Sequence, residues 1–228
     1  MKSLHEIISE KLKIKKLNKP SYNYFPKTKK ELKNILKELV VKRGNEGDFN
    51  DIDTSKITDM SYLFDYMKEF NGDISKWDVS NVISMERMFY WCKSFNQDIS
   101  NWDVSNVNNM KLMFCNCQSF NQDISEWDVS NVNNMEDMFR ECESFNQPLN
   151  NWDVSNVTGM YDMFRGCTLF NQPLTNWNVS NVTNMGNMFY ECQSFNQDIS
   201  NWNVFKVKYN YNTFYNCPIE EKYKPKFK

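Results

Sequence analysis

The chain repeats itself with a period of 25 residues, and this period constrains the fold more than any other feature. Residues 95–110 read FNQDISNWDVSNVNNM, and close copies begin at Phe120 and Phe145. Six units fill residues 70–219 without insertion or deletion, and a degenerate unit, 45–69, precedes them. A constant period gives every coil the same contour, so each unit can bury its apolar face only against its neighbours. The sequence therefore predicts a solenoid of about seven stacked coils.

Within one unit the spacing of the apolar residues changes from every second residue to every third or fourth residue. Trp102-Asp103-Val104 alternates apolar and polar residues, as a short parallel strand does. Ser105 and Asn106 are good helix N-caps. The apolar residues that follow share one face of a short helix: Val107, Met110, Met113, Phe114 and Cys117. We therefore expect an α/β repeat solenoid with one short strand and one short helix in each coil.

Three residue types recur at fixed places and form the expected core columns. The tryptophans are Trp77, Trp102, Trp127, Trp152, Trp177 and Trp202; the phenylalanines are Phe89, Phe114, Phe139, Phe164 and Phe189; the cysteines are Cys92, Cys117, Cys142, Cys167 and Cys192. Other pairs vary freely between copies and are expected on the outer, wetted side of the helix: Glu86-Arg87, Lys111-Leu112, Glu136-Asp137, Tyr161-Asp162 and Gly186-Asn187.

The ends of the stack need caps, because terminal coils would otherwise expose apolar surface. We expect residues 28–44 to form an N-terminal capping helix, with Thr28 and Glu31 as a capping box and Gly44 as the stop. Residues 45–219 would be the solenoid, whose degraded last unit caps the C-terminus, and residues 220–228 a polar tail.

The charge is unevenly spread along the chain. Residues 1–43 hold thirteen basic and four acidic residues, whereas residues 44–217 hold ten basic and twenty-three acidic ones. The basic segment 1–27 is either an arm for phosphates or anionic surfaces or a lysine-rich segment without a binding role. It has no apolar stretch typical of a signal peptide, and no uncharged apolar run approaches the roughly 18 residues of a membrane span. We therefore expect an intracellular protein.

The repeated text FNQDISNWDVSNVTNMxxMF resembles the 25-residue unit of the BspA-like leucine-rich-repeat family, and DFNDIDTSKITDMSYLF (residues 48–64) resembles its usual first unit. The resemblance covers roughly residues 28–217. It implies a right-handed, leucine-rich-repeat-like solenoid that serves adhesion or protein binding, without catalytic residues. Members occur as bacterial surface proteins, in some protists and in large DNA viruses, which adds a virion to the expected locations.

A column of carboxylates is the first candidate interaction site. It consists of Asp78, Asp103, Asp128 and Asp153, continued by Asn178 and Asn203. Like charges on adjacent coils repel one another unless they are compensated. The column could bind a cation or a basic partner, or each residue could accept local hydrogen bonds as Asp does in turns. The expected contact face adds the residues two positions earlier: Lys76, Asn101, Glu126, Asn151 and Asn176.

The residue types give little support to a catalytic site or a metal site. His5 is the only histidine, no CxxC pair occurs, and six glycines form no phosphate loop. The periodic cysteines are expected as packed thiols, with Cys115 alone at a variable, exposed place. No cofactor and no enzyme activity are expected.

We therefore expect a non-enzymatic protein-interaction or scaffold module that works inside the cell or in a virion. The alternatives are a surface adhesin exported by an unrecognised route and a basic N-terminal head that binds nucleic acid or anionic membrane. The sequence predicts a monomer with at most weak self-association, and it leaves the protein partner unidentified.

Overall fold

The computed structural model describes residues 21–228. Its one α-helix, α1, spans Lys29–Arg43, the range expected for the capping helix. Thr28 is the N-cap, and its hydroxyl accepts a hydrogen bond from the Glu31 amide at 3.2 Å. The other half of the expected capping box differs, because the Glu31 carboxylate accepts from the Lys27 amide instead of from Thr28.

Helix α1 lies against the first coil. Leu32, Leu36 and Leu39 are 0–3% exposed and join the same apolar core as the coils. Arg43 binds the Asp51 carboxylate through its two terminal guanidinium nitrogens, Nη1 and Nη2, at 2.7 and 2.9 Å. The buried leucines and this ion pair hold the helix over the N-terminal end of the stack.

Successive 25-residue units lie side by side in parallel register. A line of isolated parallel bridges joins equivalent residues of neighbouring units: Asp59, Ser84, Asn109, Asn134, Gly159, Asn184 and Tyr209. The predicted strand at Trp102-Asp103-Val104 has no strand geometry, and the parallel pairing occurs a few residues later, at Asn109. Turns on either side of Val104 prevent this segment from extending, since Ser105 bonds Asp103 and Val107 bonds Val104.

The short helix predicted in each coil is also replaced by another structure. Eight residues of each unit form consecutive turns, here called the turn segment: 60–67, 85–92, 110–117, 135–142, 160–167, 185–192 and 210–217. In the first six of these segments, the amides of the first, third, fifth and seventh residues donate to carbonyls of the next coil, at 2.7–3.2 Å. These donors are therefore not available for the i→i−4 bonds of a helix.

Left-handed backbone conformations make this arrangement regular. The third and seventh residues of every turn segment have positive φ, for example Leu112 at 59° and Asn116 at 62°. Hydrogen bonds of the Met113 amide to the Met110 carbonyl and of the Cys117 amide to the Phe114 carbonyl close the two turns of this copy. The apolar spacing that suggests a helix thus also fits two successive turns.

The tryptophan, phenylalanine and cysteine columns lie in the core. The six tryptophans are 3–5% exposed, and the phenylalanines and cysteines of the columns are fully buried. Trp127 Nε1 donates to the Ile99 carbonyl at 3.1 Å, and Cys117 Sγ donates to the Phe89 carbonyl at 2.9 Å. Equivalent bonds recur in the other coils, so each coil fixes the polar atoms of its neighbour's core residues.

The FNQ motif forms a hydrogen-bonded column of its own. The Asn121 side-chain oxygen accepts from the Asn146 amide at 2.9 Å, and the Gln147 side-chain nitrogen donates to the Asn121 carbonyl at 2.9 Å. The same pair of bonds occurs between the other coils from Asn71 onwards. This column explains why the motif recurs almost unchanged.

The last coil is only partly covered. The tail contains the single-turn 3₁₀ helix Glu221–Tyr223, and it buries Ile219 and Pro225 against the end of the core. Tyr209, Tyr211 and Tyr215, which belong to the last coil, remain more than half exposed. The degraded unit therefore caps the core but leaves much of its own edge open. A right-handed, leucine-rich-repeat-like solenoid remains the class that we propose for this stack.

Candidate functional site

The aspartate ladder, Asp78 to Asn203, lies on the surface and makes local hydrogen bonds. Asp103 Oδ1 accepts from the Ser105 amide at 3.1 Å and from the Ser105 hydroxyl at 2.6 Å. The amide bond recurs at Asp78, Asp128 and Asp153, and the hydroxyl bond recurs at Asp78. Asn178 and Asn203 accept the same amide bond without a charge. Hydrogen bonds from Ser130 lower the pKa of Asp128. These contacts give the ladder a structural role in the turn.

The remaining residues of the expected contact face form a second exposed column beside the ladder. Each lies on the other side of a buried tryptophan: Lys76, Asn101, Glu126, Asn151 and Asn176. Their side chains and those of the ladder share one polar surface. The ladder itself is almost constant, with Asp in four coils and Asn in the last two, whereas the column beside it changes from Lys76 to Glu126 and is otherwise asparagine.

A second surface varies from coil to coil. We call it the turn face; it consists of the second, third, sixth and seventh residues of each turn segment. In the copy 110–117 these are Lys111, Leu112, Cys115 and Asn116, whereas the copy 85–92 has Glu86, Arg87, Tyr90 and Trp91. The variation between copies at these positions is visible in the sequence and could have indicated this surface. A helical interpretation of the unit instead assigns the positions to the solvated side of a helix.

Aromatic rings surround an arginine near the N-terminal end of the turn face. The guanidinium carbon of Arg87 lies 4.0 Å from the Tyr90 ring centroid, 5.2 Å from that of Tyr62 and 6.0 Å from that of Tyr66. Asp65 forms an ion pair with Arg87 at 3.3 Å. Tyr66 is 56% exposed, and its ring also packs against Trp91. Tyrosine, tryptophan and arginine together are typical of the energetically dominant residues of protein interfaces.

Charged residues form a partly buried cluster in the middle of the turn face. Asp162 has no exposed surface, and its Oδ2 lies 3.1 Å from Arg140 Nη1 and 3.7 Å from Arg165 Nη1. Neither carboxylate oxygen of Asp162 has an aligned hydrogen bond among residues 21–228. Burial raises the pKa of Asp137, which accepts from Arg140 at 3.2 Å.

These burials correct two predictions. Asp137, Asp162 and Asn187 were expected on a wetted surface, yet they are 7%, 0% and 6% exposed. Larger side chains of the same and adjacent coils cover these residues: Arg140 contacts Asp137 and Asp162, and the Tyr161 hydroxyl accepts from the Asn187 side chain at 3.3 Å. Cys115 was likewise expected to be exposed and is 2% exposed; burial raises the pKa of its thiol to about 12.

None of the helices within residues 21–228 combines the length and apolarity that crossing a membrane requires. Within the same residues, no three side chains of the His, Cys, Asp and Glu types gather as ligands for one metal ion. Most of the basic head, residues 1–20, for which binding of nucleic acid or anionic membrane was predicted, lies outside the described residues.

Comparison with known proteins identifies the repeat. No curated protein and no solved structure shows significant similarity to the chain. A family described as "Mycoplasma protein of unknown function, DUF285" matches residues 30–150 and again residues 120–224. The two matches overlap and together cover the helix and nearly all coils, which agrees with the BspA-like repeat expected from the sequence. The chain belongs to the DUF285 family of repeat proteins.

Proposed function

We propose that the protein is a non-enzymatic interaction module that recognises another protein through its turn face. The observation that supports this most is the distribution of variation among the coils. The core columns and the FNQ column hardly change, whereas the turn face carries a different set of side chains at each level. A stack with a constant interior and a varied face provides a long surface on which each coil contributes its own contact.

The chemistry of the turn face fits protein recognition better than small-molecule binding. One group of its aromatic residues lies around Arg87, and a second lies towards the C-terminal end, where Tyr190 stacks on Tyr215. Its partly buried charges lie around Asp162. Rigid aromatic anchors provide most of the binding energy in many interfaces. Charges arranged in a fixed pattern provide specificity, because a wrong partner leaves them unpaired.

The proposal can be tested by comparing two four-residue variants. The turn-face variant carries Tyr66→Asn, Trp91→Asn, Glu141→Asn and Glu191→Asn, all at the seventh position of the turn segment. Asparagine occupies this position in Asn116 and Asn216, so it is compatible with the positive φ there. The ladder variant carries Asp78, Asp103, Asp128 and Asp153 changed to Asn, the residue of the last two coils.

Both variants and the unmodified chain would be used to capture partners from the source organism, after circular dichroism and melting have shown that all three fold alike. We expect a partner that binds the unmodified chain and the ladder variant but not the turn-face variant. Loss with the ladder variant alone would assign binding to the aspartate ladder. Equal capture by all three proteins would contradict a role for either surface.

A further inference from the structure

The last coil has a row of amide groups without backbone partners. In every earlier coil the first, third, fifth and seventh amides of the turn segment donate to the following coil. The corresponding amides of the last coil belong to Asn210, Asn212, Phe214 and Asn216, and they have no backbone acceptor within residues 21–228. Asn210 and Asn212 are exposed, whereas their counterparts in the preceding coil, Met185 and Asn187, are buried. Asn216 is exposed as well.

These donors stand at the positive end of four aligned columns of peptide groups. In each column, the carbonyl of a peptide group accepts from the previous coil and its N–H donates to the next; the peptide group between Asn109 and Met110 is one example. Peptide dipoles aligned head to tail add up, as they do in a helix. Neighbouring N–H groups that point the same way form anion-binding concavities. The C-terminal edge is therefore a site for acceptors and negative charge.

The N-terminal edge of the stack lies beside the lysines of α1. There the carbonyl ends of the columns face α1, and the helix brings lysines to this edge. The carbonyls that end the columns belong to Asp59, Ser61, Leu63 and Asp65. Lysines lie beside them, since Lys29 Nζ donates to the Ser61 hydroxyl at 2.8 Å and Lys33 Nζ donates to the neighbouring Tyr62 carbonyl at 2.7 Å. One end of the stack is thus covered by a cationic helix, while the N–H end is open.

The surroundings of the open edge are basic and aromatic. Residues 203–228 contain six lysines and two glutamates, a net charge of +4. Phe205 is 68% exposed, and Tyr209, Tyr211 and Tyr215 are 51–56% exposed. Next to them, a cavity of about 550 Å³ is lined by three lysines and two rings together with Ser200, Glu221 and Pro225; the lysines and rings are Lys222, Lys224, Lys226, Phe214 and Phe227. Lys222 pairs with Glu220 at 2.8 Å and Lys224 pairs with Glu221, so a carboxylate from a ligand has to replace these partners, whereas Lys226 has no ion pair among residues 21–228.

We propose that this C-terminal edge binds an acidic peptide segment of a partner protein, which lies along the last coil as a further coil would. Backbone carbonyls at every second residue of the peptide accept from the row of amides, as in strand addition to a sheet edge. Its carboxylates contact Lys222, Lys224 and Lys226. A second copy of the chain does not fit, because two C-terminal edges would oppose donor to donor and the N-terminal edge lies under α1. This site shares only the last level of the turn face, Tyr211, Asn212, Tyr215 and Asn216, and it contains none of the residues changed in the turn-face variant.

The test uses the full chain and a fluorescent octapeptide of alternating Glu and Val, with fluorescence anisotropy as the readout. A peptide with Gln in place of Glu tests the charge, and a thymidine octanucleotide tests nucleic acid as the ligand. The site variant is Lys222→Gln, Lys224→Gln and Lys226→Gln. The matched control is Lys37→Gln, Lys42→Gln and Lys56→Gln, three exposed lysines of α1 and the first coil.

We expect the Glu peptide to bind roughly tenfold more tightly than the Gln peptide, and the site variant to weaken it by roughly tenfold, while the control variant changes little. The amide resonances of Asn210, Asn212, Phe214 and Asn216 should shift when the Glu peptide is added. Equal weakening by both lysine variants, unshifted amides, tighter binding of the oligonucleotide, or no binding of the Glu peptide would each overturn the proposal.

Discussion

At the scale of single residues, the tryptophan and cysteine side chains of the core are fixed both by packing and by a hydrogen bond to the neighbouring coil. Trp127 illustrates this, since it is 3% exposed and donates to the Ile99 carbonyl. Trp127→Ala should lower the free energy of unfolding by about 3–5 kcal/mol, because a large side chain is removed from a close-packed interior. Thermal melting measures the loss, with Glu126→Ala, an exposed neighbour, as the control. An unchanged melting temperature for Trp127→Ala would contradict the packing described.

Two substitutions at positions of positive φ in the turn segments should change the melting temperature in opposite directions. Leu112 has a φ of 59°, which costs an ordinary L-residue about 1 kcal/mol or more, and asparagine tolerates it better. Leu112→Asn should therefore keep or raise the melting temperature. Gly166→Ala should lower it, because its φ is 70° and the added Cβ would lie 2.5 Å from Glu141 Oε2. A large loss with Leu112→Asn would show that its apolar contacts outweigh the backbone strain.

Which residues are buried was the most predictable feature of the molecule. The buried columns follow from the period together with the residue type, because an apolar residue that recurs every 25 positions in a stack meets its own copy. The burial of Asp162 and Cys115 does not follow in this way. It depends on the side chains that surround each position, such as Arg140 and Arg165 around Asp162, whereas a helical interpretation gives these positions to solvent.

At the scale of elements, the capping helix was predictable and the coil was not. Thr28, Gly44 and a leucine stripe are local signals that define α1 independently of the rest of the chain. The turn segment has no such signal. Met110, Met113, Phe114 and Cys117 have the spacing of a helix face, but their segment is bonded to the next coil, and this long-range bonding determines its conformation.

The ion pair between Arg43 and Asp51 allows a test of how α1 is held. The hydrogen bond from Arg43 lowers the pKa of Asp51, so the pair stabilises the fold above the unfolded-state pKa of about 3.9 and loses this contribution as the pH falls below it. Asp51→Asn should cost about 1 kcal/mol at pH 7, since both side chains are partly exposed. The difference in melting temperature should shrink at pH 3, whereas Glu38→Gln should have little effect at either pH. A difference that does not depend on pH would contradict this role.

The thiol column makes a prediction about reactivity. Six of the seven cysteines are buried and only Cys217 is partly exposed. Burial raises the pKa of the column thiols, and the thiolate is the reactive form. At pH 8 a thiol reagent should label Cys217 first, and all seven cysteines only after unfolding. Cys217→Ser should remove the fast phase, and rapid labelling of several cysteines in the folded protein would contradict the packed column.

At the scale of the whole molecule, the stack has a direction. The four columns of the turn segments end as carbonyls on the side of α1 and as N–H groups at Asn210, Asn212 and Asn216, whereas one further column, which includes Asn108 and Asn133, donates towards the preceding coil. The two ends therefore differ in charge preference, and the sides differ in variability. The period alone predicted that units stack, but the polarity of the stack could not be derived, because it depends on the turn geometry and not on which residues are apolar.

Amide hydrogen exchange measured residue by residue tests the central claim most directly. The claim is that columns of bonds between coils, and not helices within them, hold the stack together. The amides of Met135, Asp137, Phe139 and Glu141 should exchange more slowly than those of Asn210, Asn212 and Asn216 by a factor on the order of a hundred or more. Equal exchange rates in the two sets, or fast exchange throughout the inner turn segments, would contradict the account.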